Sequence, residues 1–61
     1  MPAITQINVG DRLTPSDPPV CCRQPMRLTR GVVGPLWECV DCEDGIYVTA
    51  DGHVTHVMTS N

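Results

Sequence analysis

Two stretches of the chain alternate apolar and polar residues in the pattern of β-hairpins. The clearer stretch reads GIYVTADGHVTHVMT, and Asp51-Gly52 near its centre is a strong signal for a two-residue turn. This turn predicts a set of facing pairs: Ala50 with His53, Thr49 with Val54, Val48 with Thr55, Tyr47 with His56, and Ile46 with Val57.

The predicted register places apolar groups on both faces of this hairpin. Ile46, Val48 and Val57 can fill a core. The remaining side chains need cover from the amino-terminal segment, a second copy of the chain in a homo-oligomer, or a partner protein. We take them as candidate partner-binding residues: Tyr47, Val54, His56 and Met58.

The other hairpin begins at Met26. Met26 and Leu28 point to one face of its first strand, and Arg27 and Thr29 point to the other. The sequence GVVGP supplies the turn, and LWEC forms the returning strand. We expect Trp37 to pack in the core, with a partner-binding anchor as the alternative.

Residues 1–19 read as an extended lead-in. The segment ITQINV could add one short strand to a sheet edge. The following TPSDPPV has three prolines in seven residues, which excludes a helix and favours a semi-rigid tether. The alternative is a docking arm that becomes ordered on a partner.

The small core predicted for this chain indicates that a disulfide or a metal ion must add to its stability. A chain of 61 residues with no Phe, one Trp and one Tyr buries little aromatic surface. All four cysteines lie between Cys21 and Cys42, as an adjacent pair and a Cys-x-x-Cys separated by sixteen residues. This arrangement favours a tetrahedral four-thiolate metal site over disulfides or free thiols.

Other features agree with a metal site in a cytoplasmic protein. The amino terminus lacks the basic start and apolar run of a secretory signal, and no segment approaches a membrane span. Cys39 and Cys42 can clearly bind one ion, whereas Cys21 and Cys22 either both bind or leave one position to another residue. His53 and His56 project to opposite faces of a strand and cannot bind one ion together.

The motif CCRQPM followed by WECVDC resembles the zinc-ribbon and rubredoxin-like group. The double cysteine followed by Pro25-Met26 is most similar to the double-cysteine half of the desulforedoxin and desulfoferrodoxin iron domains. The resemblance implies that all four cysteines are metal ligands: Cys21, Cys22, Cys39 and Cys42. Arg23 and Glu43 stand where the knuckles of the group carry glycine, and the double cysteine comes first. These departures favour a structural Zn²⁺ over a redox-active Fe.

Residues and resemblance together predict a small all-β, metal-stabilised domain. Residues 20–61 would form zinc-ribbon-like antiparallel hairpins, and residues 1–19 an extended amino-terminal arm or edge strand with a proline-rich tether. A complete four-cysteine shell leaves no position for a reacting water, and the chain has no Ser-His-Asp set or phosphate loop. We therefore do not expect an enzyme.

The charge distribution bears on the choice of partner. The net charge is −3, and acidic residues surround the second cysteine pair: Glu38, Asp41, Glu43 and Asp44. The acidic balance and apolar hairpin faces favour a protein-binding adaptor or regulator of a larger assembly. One alternative is nucleic-acid binding through Arg23, Arg27 and Arg30, although we expect these arginines to pair with the nearby acids. The other alternative is electron transfer by thiolate-bound iron.

Overall fold

The two alternating stretches form one antiparallel sheet. The computed structural model describes residues 2–59, which contain six strands and no α-helix. The strands are β1 (Val20–Cys21), β2 (Gln24–Pro25), β3 (Arg27–Arg30), β4 (Pro35–Glu38), β5 (Gly45–Val48) and β6 (Val54–Met58). Strands β3, β4, β5 and β6 pair in that order, and β1 pairs with β2 in a separate small hairpin. The predicted small all-β fold class is confirmed.

The first predicted hairpin is β3–β4. Leu28 lies opposite Trp37, and the N–H of Gly31 donates to the carbonyl of Gly34 at 2.8 Å to close the turn. Trp37 is 3% exposed and packs in the core, as expected. Between the two glycines, Val32 is 99% exposed at the tip of the turn.

The turn of the second hairpin, β5–β6, is one residue longer than predicted. The N–H of Thr49 donates to the carbonyl of His53 at 2.8 Å, and the carbonyl of Thr49 accepts from Gly52 at 2.9 Å. Gly52 has a φ of 93°, which matches the three-residue hairpin loop that ends in a left-handed glycine. The predicted pairs of Ala50 with His53 and Thr49 with Val54 are therefore wrong.

A bulge restores the predicted register further along. Two predicted pairs are present: Tyr47 with His56, and Ile46 with Val57. Val48 faces Val54 and not Thr55, because the ladder shifts between Tyr47 and Val48. As a result, Val54 shares the face of Val48, and both are buried, at 2% and 7% exposure.

The amino-terminal arm supplies the second layer of the core. Residues Ile4–Gln6 form a turn of 3-10 helix where a short strand was expected. Beyond this turn, the carbonyl of Asp11 accepts a hydrogen bond from the N–H of Val54 at 2.7 Å. Further along, the N–H of Leu13 donates to the carbonyl of Gly52 at 2.8 Å. The arm thus contacts both the start of β6 and its turn.

One cluster of buried side chains joins the arm, the sheet and the cysteine pairs. The arm contributes Ile4, Ile7 and Leu13; the sheet contributes Trp37, Ile46, Val48 and Val54; Cys21, Met26 and Cys39 complete it. Because two cysteines belong to this cluster, the core and the cysteine site form one packed unit. No helix among the residues described is long and apolar enough to cross a membrane.

The contact between arm and turn can be tested with two glycines. A Cβ on Gly52 would lie 2.5 Å from the carbonyl oxygen of Leu13, whereas a Cβ on Gly10 would meet nothing within 4 Å. Both residues have positive φ, 93° for Gly52 and 97° for Gly10.

We expect Gly10→Ala to lower the free energy of unfolding by about 1 kcal/mol through backbone strain alone. Gly52→Ala should lower it by roughly 2 kcal/mol or more, because the added methyl also clashes. Urea unfolding measures both, and equal losses would contradict the arm packing.

Candidate metal centre

Two turns bring the four cysteines together. The Sγ atoms of Cys21, Cys22, Cys39 and Cys42 all lie within 4.8 Å of one another. The first pair lies at the β1–β2 turn, and the second lies at the end of β4 and in the loop that leads to β5. No disulfide joins them. The four thiols are positioned to bind a metal ion.

The adjacent cysteines reach one site through a strained turn. Cys21 faces Gln24 in the β1–β2 pair, so Cys22 and Arg23 are the two central residues of the turn. Both have positive φ, 55° and 63°, as a type I′ turn requires. The left-handed region costs a residue with a Cβ roughly 1–2 kcal/mol. This unusual backbone lets both adjacent thiols face the second pair.

Backbone amides organise the second knuckle, which is the turn that carries Cys39 and Cys42. The N–H of Asp41 points at Cys39 Sγ at 3.4 Å, and the N–H of Cys39 donates to the carbonyl of Asp44 at 3.1 Å. The side chain of Gln24 donates to the Asp41 carboxylate at 2.8 Å. This last bond ties the two knuckles together outside the sulfur cluster.

The sulfur spacing fits a tetrahedral ion. Sulfurs placed about 2.3 Å from a central ion at tetrahedral corners are separated by about 3.8 Å. Cys21 Sγ lies 3.8 Å from Cys22 Sγ and 3.5 Å from Cys42 Sγ. Cys22 Sγ and Cys42 Sγ are 3.6 Å apart. These three sulfurs therefore match the spacing around a Zn²⁺- or Fe-sized ion, and Cys39 Sγ lies within 4.8 Å of each of them.

The thiols differ in how readily they ionise in the metal-free protein. Burial, with the neighbouring thiols, raises the pKa of Cys21 far above its usual range. The Cys42 thiol raises the pKa of Cys22 to about 11. The backbone N–H of Asp41 lowers the pKa of Cys39 to about 7, so this sulfur is ionised first. A cation at the centre would stabilise the remaining thiolates.

Exposure also differs among the four sulfurs. Cys21 and Cys39 are 6% and 8% exposed, Cys42 is half-buried, and Cys22 is exposed. Asp44 Oδ2 lies 3.5 Å from Cys21 Sγ, so one of the predicted acidic neighbours touches the site. The site is buried on the side of the core and open beside Cys22.

The four side chains predicted to need cover on the last hairpin have different surroundings. Val54 is buried under the arm, so its assignment as a partner-binding residue is wrong, and the arm is the cover that the structure provides. Tyr47 is half-buried, and Met58 is 42% exposed on the sheet face away from the arm. His56 is exposed beside Tyr47, with ring centroids 6.3 Å apart. These three remain accessible to a partner.

The remaining predicted residues lie outside the sulfur cluster. Arg23, Arg27 and Arg30 are exposed, and none forms an ion pair with another residue in the 2–59 range. The expected ion pairs between these arginines and the acidic residues near Cys39 and Cys42 are therefore absent among the described residues. His53 lies 3.1 Å from the Asp51 carboxylate and belongs to the turn.

Sequence reasoning missed the contacts that support the site. The bond between Gln24 and Asp41 joins residues seventeen positions apart, and neither residue stands out in the sequence. The adjacent cysteines were the available signal for the strained turn, because a regular strand would point them apart.

Fold and site together define a small all-β domain with a four-cysteine cluster, consistent with a zinc-ribbon-like domain. Comparison of the chain with protein families, with curated proteins and with solved structures found no match.

Metal affinity should rise with pH. Cys21 and Cys22 hold their protons at neutral pH in the metal-free protein, because the pKa of each is raised. Binding as four thiolates releases at least these two protons, so the apparent affinity should increase by at least about a hundredfold per pH unit near neutrality. Below pH 7 Cys39 is protonated as well, and the dependence should steepen. Titration with Co²⁺ against a competing chelator, corrected for the chelator's own protonation, measures this at pH 6, 7 and 8. An affinity independent of pH would contradict thiolate ligation.

The strained turn predicts the effect of replacing Arg23. Arg23→Gly removes the Cβ at a φ of 63° and should raise the free energy of unfolding of the metal-loaded protein by up to about 1 kcal/mol. Arg23→Ala is the matched control, because it removes the same charge and keeps the Cβ. Urea unfolding at fixed free metal compares them. Equal stability of the two variants would show that the turn is not strained at this position.

Proposed function

We propose that this chain is a non-catalytic zinc-ribbon module that binds another protein, as an adaptor or regulator of a larger assembly. The observation that carries the proposal is the cluster of four thiols within 4.8 Å of one another, two of which belong to the hydrophobic core. An ion held there stabilises the fold and leaves the rest of the surface for recognition.

Zinc suits this site better than iron. Four thiolates form a closed set, and acidic side chains at or near the second knuckle disfavour reduction of a bound iron. The likeness to desulforedoxin and desulfoferrodoxin keeps iron-based electron transfer as the alternative. A four-thiolate shell has no open position at which a substrate could bind, which supports a non-catalytic role.

A sheet face left open by the arm supports protein binding. We define the open face as Leu36, Tyr47, His56 and Met58. A Cβ on Gly45 would lie 3.1 Å from Leu36 Cδ1 and 3.2 Å from Met58 Cε, so these two side chains meet above that glycine. The aromatic ring of Tyr47 lies close over Gly31 in the same way. An apolar strip with a polar rim is typical of a protein-binding surface.

Nucleic-acid binding is the second candidate, and one observation favours it. Arg23, Arg27 and Arg30 are exposed and lack ion pairs in the part of the chain that is described. The net charge of −3 opposes it, since each phosphate contact must overcome that repulsion. Affinity for a single-stranded oligonucleotide that falls steeply with salt would favour this candidate.

The first test is the metal. Elemental analysis of freshly purified protein should give one zinc per chain, and the visible spectrum should show no colour. Structural zinc in peptides of this size contributes about 10–16 kcal/mol, so chelation should unfold the domain. Cys39→Ser and Cys42→Ser should each abolish the fold, as followed by circular dichroism. Iron with thiolate charge-transfer bands would replace the zinc proposal with the electron-transfer one.

The second test is the open face. Met58→Asp places a charge in the apolar strip and should reduce capture of a protein partner from the native cell extract by at least tenfold. Val32→Asp is the control, because it adds the same charge at the exposed β3–β4 tip. Both variants should keep wild-type metal content and melting temperature. Capture that is unchanged by Met58→Asp and by Tyr47→Ala would contradict partner binding at this face.

A further inference from the structure

The outer edge of β3 is an open sheet edge. The sheet ends at β3 on one side and at β6 on the other. The arm covers the start of β6 through Gly10 and Asp11, which both bond to Val54. On the β3 side, the N–H of Met26 donates to the carbonyl of Pro19 at 2.8 Å, and no such bond joins Leu28 or Arg30 to another of residues 2–59. The uncovered edge therefore runs from Leu28 to Arg30.

The hydrogen-bond pattern shows which backbone groups face outward. The bond from Gly31 to Gly34 continues the β3–β4 ladder, so the residues of β3 that bond β4 are Arg27 and Thr29. Leu28 and Arg30 then direct their N–H and C=O groups away from the sheet. The pairing of Arg30 with Pro35 agrees, because this pair needs no N–H from the proline. Two residues thus offer donors and acceptors to an added strand.

A groove lies beside this edge on the side of the arm. It has a volume of about 320 Å³, and its walls include Leu13, Leu28, Pro35 and Trp37. Leu28 is 44% exposed at its margin. A strand added to β3 would place the residue opposite Leu28 on the same face as Leu28. That side chain can enter the groove if it is apolar.

The charges at the edge favour an acidic occupant. Arg27 and Arg30 are exposed at the two ends of β3, and Arg12 lines the groove. These are three of the four basic side chains of a chain whose net charge is −3. Two copies paired through β3 would crowd four arginines along one seam, which is destabilising. A nucleic acid could contact the arginines but has no strand backbone to pair with Leu28 and Arg30.

We propose that the outer edge of β3 takes up an extended acidic segment of a partner protein as a fifth strand, with one apolar side chain of that segment in the groove. This inference rests on the proposed function, that the chain binds a protein. The added backbone bonds provide affinity, and one apolar side chain opposite Leu28 with acidic side chains opposite Arg27 and Arg30 provides specificity.

A displayed library of random ten-residue peptides, selected against the zinc-loaded protein, tests this proposal. We expect selected sequences in which one Val, Ile or Leu, opposite Leu28, has Asp or Glu next to it on one side, opposite Arg27, and Asp or Glu two positions away on the other, opposite Arg30. In ¹⁵N spectra of the full chain, the amides of Leu28 and Arg30 should shift and exchange more slowly with a bound peptide. Arg27→Glu and Arg30→Glu should each weaken binding at least tenfold. Val9→Glu is the control, because it adds the same acidic side chain at an exposed position of the arm, away from the β3 edge; its metal content and affinity should stay at the wild-type values.

The alternative outcomes separate this inference from the proposed function. Peptides that shift Tyr47 and Met58, but not Leu28 and Arg30, would overturn the fifth strand and support the open face. Selection of basic or uncharged sequences at the edge would overturn the acidic partner. A single-stranded oligonucleotide that shifts Leu28 and Arg30, where no peptide does, would replace the peptide with nucleic acid. If neither surface selects a peptide, both the inference and the proposed function fail.

Discussion

Mutual repulsion among four close thiols is the constraint on which this structure depends. Four sulfurs within 4.8 Å of one another can all be ionised only around a cation. Cys21 and Cys39 also belong to the hydrophobic core, so the same residues that are positioned to bind an ion pack in one cluster with Met26 and Trp37. Packing and metal ligation therefore stabilise each other, and a chain of this size has little core with which to stand alone.

The arm adds enough buried apolar side chains to complete the small core of the sheet. Ile4, Ile7 and Leu13 form the layer that faces the sheet, and backbone bonds to Val54 and Gly52 fix their position. Because the arm covers one sheet face only, the other keeps an apolar strip at its surface. The two proposed binding surfaces, the open face and the β3 edge, are the parts of the sheet to which the arm makes no backbone hydrogen bond among the described residues.

The sequence predicted the elements better than their connections. Alternation located both hairpins, and the cysteine spacing located the cluster, because both signals are local. The three-residue turn and the bulge at Thr55 were missed, since Asp51-Gly52 fits turns of either length and the choice follows from the burial of Val54. The packing of the arm was one of three alternatives for covering the last hairpin, and the sequence did not choose among them for a similar reason. Its few apolar residues have no regular period, and their contacts depend on a sheet distant in the sequence.

The uneven exposure of the ligands has a kinetic consequence. Cys22 is the exposed sulfur and sits on a turn whose backbone is strained, whereas Cys21 and Cys39 are buried. Cys22 is the most exposed of the four sulfurs to a competing ligand, and release of that sulfur also relieves the backbone. We therefore expect exchange of the ion to begin at Cys22, so that one residue governs the lifetime of the site while all four set its affinity.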